Sequence, residues 1–187
     1  MILLKNILQE GDPVLRKKAA EVKIPLTKKD QKTIEDMMEY LENSQDEILC
    51  EKYGLRGGVG LAAPQIGVSK RIFCMLTFDE KNKNFYKYAF INPLIVANSI
   101  EKTYLPGGEG CLSVEESKNN TVLRYSKIKI KAMSYNFKTK IVEPVSLTLT
   151  GYPSIVFQHE YDHLNGILFV DKITTDVFKY EPLKFTD

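Results

Sequence analysis

Tryptophan is absent from this 187-residue chain, and histidine occurs only twice. Cysteine is nearly as scarce: the three thiols, Cys50, Cys74 and Cys111, form no C-x-x-C pair and cannot all be matched, which excludes a disulfide framework and implies reduced thiols. No apolar run approaches the ~18–20 residues of a membrane span. The opening Met1 to Leu8 is too short for one, lacks a small-residue cleavage site and is followed by Glu10 and Asp12, so no membrane association and a cytoplasmic location are expected. Neither charge sign dominates. With a formal net charge of +2 and no long Lys/Arg stripe, direct nucleic-acid recognition is not expected. Lys127, Lys129 and Lys131 alternate with Ile128, Ile130 and Ala132 and read as the wet face of a strand. Repeats, low-complexity runs and linkers are missing too, and the length suits one domain over residues 1–187.

What the chain does have is an economical use of its two histidines. His159 and His163 stand four apart, which on an α-helix stacks both imidazoles on one face. A helix over Pro153 to Leu164 is expected, with Pro153 in the first turn and Asn165-Gly166 as a left-handed stop. Ile155, Val156, Phe157 and Leu164 make it apolar around much of its circumference, so it should be buried, and a divalent cation would offset the desolvation of its imidazoles. Glu160 completes H-E-x-x-H. It points away from the histidines' face, and in such sites the glutamate handles protons and does not ligate.

Two other stretches are unusual. Gly54 to Gly67 packs glycine and alanine around Gln65, as where backbone must approach a ligand closely; it completes neither a G-K-[ST] nor a G-x-G-x-x-G pattern, which argues against a nucleotide site. Leu105 to Val114 sets Cys111 among glycines, leaving its sulfur sterically open. Around them, Gly11 to Arg16 reads as a turn and short helix with Leu15 and Ala19 pointing inward. An amphipathic helix follows from a Thr27 start through about Leu49, with Ile34, Met37, Met38, Leu41 and Ile48 on its apolar face. Strands are expected at Arg71–Leu76 and Tyr88–Ala97 around a polar 79–84 loop, at Thr121–Tyr135 and Ile141–Leu149 as an antiparallel pair, and at Ile167–Val170. The fold class is α+β, with antiparallel β-sheets packed around a central metal-binding α-helix.

Two histidines leave a catalytic metal one protein ligand short. A metzincin-type third histidine is excluded because Phe169 occupies its place. Glu181 is the only glutamate after the helix, and Pro182 beside it argues against a helical presentation. Cys111 is the better donor, since a thiolate binds a divalent ion strongly. A zinc endopeptidase, a metal-stabilised peptide-binding module and a structural zinc site remain as rival readings of these residues.

Gly58-Val59-Gly60-Leu61-Ala62-Ala63-Pro64-Gln65, Glu109-Gly110-Cys111-Leu112-Ser113 and Gln158-His159-Glu160-Tyr161-Asp162-His163 together resemble the three signatures of the peptide deformylases, in their family order. Gly11 to Arg16 and Gly166 to Asp171 extend the likeness over essentially the whole chain, and the loops before the first two signatures look like the type 2 branch. The resemblance implies a metal-dependent hydrolase that removes the formyl group from the N-terminal formyl-methionine of new polypeptides and releases formate. It implies Cys111, His159 and His163 as ligands of one Fe²⁺, which Zn²⁺, Ni²⁺ or Co²⁺ can replace, and Glu160 as the proton carrier. Gln65 and the Leu112 N–H would meet the developing oxyanion; Gly60 and Gly110 would admit the peptide backbone; Val59, Tyr152 and Ile155 would line a methionine pocket. Arg124 would pair with Asp162. The partners implied are the N-formylmethionyl peptide and a transient contact with the ribosome, although the tail lacks the long basic helix that some relatives use there. One departure stands out: Glu115 to Asn120 replaces the usual Val-x-Gly turn after Ser113, in a loop expected to border the peptide channel.

Overall fold

The computed structural model describes residues 1–115 and 120–186. Positions 116–119 of the loop that departs from the family turn therefore lie outside the described residues.

Helix α1, Lys28–Gln45, starts where Thr27 accepts a hydrogen bond from the Asp30 N–H. It stops earlier than the apolar spacing predicts. Asp46 leaves helical geometry and its side chain accepts from the Leu49 N–H, so it caps a separate helix α2, Glu47–Tyr53, closed by left-handed Gly54. The break rotates the register: Ile34, Met37, Met38 and Leu41 are buried as expected, but Ile48 is 77% exposed.

Strand β1, Gly60–Ala62, runs into a 3₁₀ turn at Ala63–Ile66, and then come β2, Ile72–Phe78, and β3, Phe85–Asn98. The short β4, Lys102–Thr103, and β5, Arg124–Tyr125, form a two-stranded piece. β6, Lys127–Tyr135, and β7, Val142–Thr150, pair antiparallel as predicted and lead into α3, Tyr152–His163. The larger sheet has the order β1-β2-β3-β6-β7, with every pair antiparallel. One of two register shifts in β3, between Ile91 and Leu94, contains Asn92, which has φ 49° and is held by two side-chain bonds to the Val22 backbone. The strand expected at Ile167–Val170 is instead a 3₁₀ turn, Phe169–Lys172, held by Asp171 accepting from the Leu168 N–H. Leu168 and Phe169 are buried in the core, with Val170 packed against it.

β2 explains how the sheet carries a helix on each face. Its Ile72, Cys74 and Leu76 join the cluster containing Ile34, Met37 and Leu41 of α1, while Phe73 and Met75 join that of Phe157 from α3. Alternate residues thus bury opposite faces, which is why the strand reads as an unbroken apolar run. Phe157 meets Phe73 and Phe90 edge-on at 5.0 and 5.1 Å, locking α3 to the sheet. On its other side α3 is tied to β5, where the Gln158 amide bonds both the N–H and the carbonyl of Tyr125.

Candidate active site

Helix α3 is closed locally only at its far end, where the expected stop is found: Gly166 is left-handed at φ +73°, the Ile167 N–H donates to the Asp162 carbonyl and the Asn165 side chain donates to the Tyr161 carbonyl. Gly151 precedes the helix with φ +64° and no capping side chain, and the carboxylate of Glu80 accepts from the Tyr152 N–H instead. At the far end Arg71 donates to the Leu164 carbonyl and the Asn165 side chain at 3.2 and 3.1 Å. Both charges flank β2 and both have the sign that complements the helix dipole. The segment carrying the two histidines is therefore anchored from the sheet beneath it.

Among the described residues, Cys111, His159 and His163 bring one donor atom each within 4.8 Å of the others. Cys111 Sγ lies 3.3 Å from His163 Nε2. In a tetrahedral N/S site, bonds of about 2.1 and 2.3 Å put those atoms roughly 3.5 Å apart, so the donor set fits a divalent ion. Glu181 is exposed and belongs to no such group. Cys111 Sγ also accepts from the Ser113 N–H at 3.4 Å and the Gln65 amide at 3.5 Å. Gln65 is itself fixed: its carbonyl accepts from the Ala62 N–H at 2.8 Å and its amide also donates to Ser113 Oγ at 3.1 Å.

Glu160 is buried, and burial pushes its carboxyl up to about 7. Its Oε2 and the Nδ1 of His163 are buried with no hydrogen-bond partner among the described residues. Room for the carboxylate comes from Gly60, where a Cβ would fall 2.6 Å from the Glu160 carboxyl carbon. His163 is held well below its usual pKa, first by burial and then by the charges of His159 and Arg124, which keeps the imidazole neutral for ligation.

Behind the donors lies a chain of buried charge only part of which sequence reasoning found. Arg124 reaches Asp162 at 2.5 Å as expected, but it also makes a two-pronged contact with Glu109 at 2.7 and 2.9 Å. Glu109 in turn accepts from His159 Nδ1 at 2.8 Å, which orients the ring and leaves its Nε2 for a metal. Burial alone would raise the Glu109 carboxyl; the bonds from Arg124 and His159 prevail and hold it at about 2. At its outer end the exposed Lys172 donates to both Asp162 oxygens at 2.7 Å. The signal for Glu109 was present: a carboxylate two residues before a candidate thiolate ligand.

All five residues expected to bind substrate, Val59, Gly60, Gly110, Tyr152 and Ile155, line one cleft of about 520 Å³. Gln65, Cys111, Leu112, His159 and Glu160 line it too, while His163 sits outside its walls. Gly110 has nothing within 4 Å of a would-be Cβ, so that rim is open.

The sequence profile of the polypeptide deformylases matches residues 4–178. The chain belongs to this family. It is 48% identical over 176 residues to a peptide deformylase of Oceanobacillus iheyensis, covering 94% of this chain and 93% of the relative. A Staphylococcus epidermidis peptide deformylase is 47% identical over 184 residues, with 98% and 96% covered. The crystal structure of peptide deformylase from Thermotoga maritima superposes with a TM-score of 0.68 at 39% identity, over 90% of this chain and 96% of that one. That from Plasmodium falciparum gives 0.69 at 34%, over 90% and 86%. The enzyme is thus a metal-dependent hydrolase that removes the formyl group from the N-terminal formyl-methionine of newly made polypeptides, releasing formate. No helix among the described residues is long and apolar enough to cross a membrane.

Proposed function

We propose that Cys111, His159 and His163 hold one catalytic divalent ion, with Glu160, Gln65 and Leu112 carrying the chemistry around it. The observation that bears most weight is Glu160 Oε2, a buried carboxylate oxygen with no hydrogen-bond partner among the described residues, on a residue lining the cleft with two of the three donors. An unpaired buried acceptor is costly unless something polar meets it during function. When bound, the ion supplies Lewis acidity, polarising the formyl group and making water nucleophilic near neutral pH.

Glu160 takes the proton from the attacking water and passes it to the departing amine. The Gln65 amide and the Leu112 backbone N–H donate to the oxygen on which charge develops. Gly60 and Gly110 admit the peptide backbone; β1 supports this, since it ends the sheet and pairs with β2 alone. Val59, Tyr152 and Ile155 enclose the methionine side chain. Glu109, Arg124, Asp162 and Lys172 steady the histidines from behind.

Thiolate and imidazole suit zinc and iron alike, so the choice of Fe²⁺ rests on family likeness, with Zn²⁺, Ni²⁺ or Co²⁺ able to replace it. Residues 1–187 act as one catalytic domain in the cytoplasm, on N-formylmethionyl peptides, in transient contact with the ribosome and without direct nucleic-acid recognition. Anaerobic formate release from formyl-Met-Ala peptides, paired with metal analysis, tests the assignment. Glu160→Ala should abolish turnover while the ion and peptide still bind. Unchanged turnover would remove Glu160 from the mechanism.

A further inference from the structure

The end of the chain folds back over the rim of the cleft. Tyr104 and Pro182 form a parallel bridge, the Leu183 N–H donates to the Tyr104 carbonyl at 2.8 Å, and Thr103 Oγ1 donates to the Glu181 carbonyl at 2.9 Å. This lays the tail beside Tyr104, next to Leu105, which lines the cleft. Three residues on, Phe185 meets the ring of Tyr152 edge-on, at 5.4 Å and 68°. Tyr152 lines the cleft as well. The tail therefore touches the cleft's surroundings in two places.

Glu80 ties the second of these down. Its backbone carbonyl accepts from the Thr186 N–H at 3.0 Å, while its carboxylate accepts from the Tyr152 N–H at 3.1 Å. A Cβ on Gly151 would lie 2.6 Å from the Glu80 carboxyl carbon, so only glycine lets the carboxylate sit there. One residue of the 79–84 loop thus grips both the backbone that carries Tyr152 and the backbone that carries Phe185. Phe185 itself is 52% exposed, so little core burial explains its place, and it lies beyond the span 4–178 matched by the family profile.

We propose that residues 181–186 act as a strap at the cleft, in which Phe185 is a positioning residue that holds the Tyr152 ring as the outer wall of the pocket for the first side chain. This rests on the reading that Tyr152 encloses that side chain. The tail thereby sets how strictly an unbranched methionine-sized group is preferred over a bulkier one. It leaves the reacting atoms alone, so its effect falls on substrate binding and selectivity.

The test compares formyl-Met-Ala with formyl-Phe-Ala in the metal-loaded, full-length enzyme, for the parent and for Phe185→Ala, Phe185→Leu, Tyr152→Ala and Phe178→Ala. Releasing one edge-on aromatic contact should raise KM for formyl-Met-Ala about three- to tenfold in Phe185→Ala, keep kcat within about twofold, and narrow the preference for methionine by a similar factor. Phe185→Leu should recover most of the loss, and Phe178→Ala, 93% exposed in the same tail, should match the parent. If Tyr152→Ala alters selectivity and Phe185→Ala does not, the strap is overturned while the pocket reading stands. If neither alters it, Tyr152 does not wall the pocket and both fall. A fall in kcat with unchanged KM in Phe185→Ala would also overturn the positioning role.

Discussion

Gly60 shows how much one missing side chain can decide. The sequence marks it as a place for close approach, and in the structure the nearest group on its Cβ side is the Glu160 carboxylate. Gly60→Ala should displace that carboxylate and lower kcat about tenfold to a hundredfold, the usual cost of an ångström of misplacement, with KM changing far less. Steady-state kinetics on a formylated dipeptide check this. Glu109 makes the complementary point. Its Gly110-Cys111 neighbours drew attention as a ligand motif, but the acid's own role depends on His159, fifty residues away, facing it across the site. No local pattern encodes that pairing. Glu109→Gln should weaken metal retention about 10- to 100-fold, read as faster ion loss to a chelator, because the amide no longer anchors the histidine with a charge.

At the scale of elements, the strongly periodic segments were the legible ones. The helix that carries both histidines, both hairpins and the start of α1 fall where apolar spacing and end signals place them. The misses have local causes. Asp46 restarts a helix inside a run whose spacing continues past it, and Ile167–Val170 is apolar enough for a strand but pairs with none among the described residues. The stop of α3 at Asn165-Gly166 was legible, but the charges that complement its two ends were not, since they come from Glu80 and Arg71, which flank β2. Arg71 is a buried cation whose acceptors are the Leu164 and Pro93 carbonyls and the Asn165 amide, with its guanidinium 5.4 Å from the Tyr161 ring. Arg71→Met should cost about 1.5–3 kcal/mol of stability by orphaning those acceptors. Urea titration of the metal-loaded enzyme would measure it, and a midpoint unchanged from the parent would mean that water replaces the guanidinium.

For the molecule as a whole, the reaction class was legible through the resemblance of the three signatures to a family, and residues of all three line one cleft, whereas the tail, with its mixed composition, gave no hint of its return to Tyr152. Burial of Cys111 to 8% exposure shields the sulfur but does not seal the open rim at Gly110. With iron bound, activity should decay faster in air than under argon, through oxidation of the ion and the thiolate, and nickel or cobalt enzyme should decay more slowly. Timed assays in both atmospheres decide; equal lifetimes for the iron enzyme would count against iron.

The first residues of the chain touch all three signature regions: Leu8 N–H donates to the Gln65 carbonyl, Glu10 N–H to Ser113 and Ala19 N–H to Leu164. At Gly166 the segment that follows α3 presses so close to this early stretch that a Cβ would lie 2.7 Å from the Arg16 backbone. The stretch that stitches the centre together is thus translated well before the helix it closes upon. During its own translation the nascent protein has to hold that early thread without its partner, and it acquires the power to process other newborn chains only once α3 has emerged.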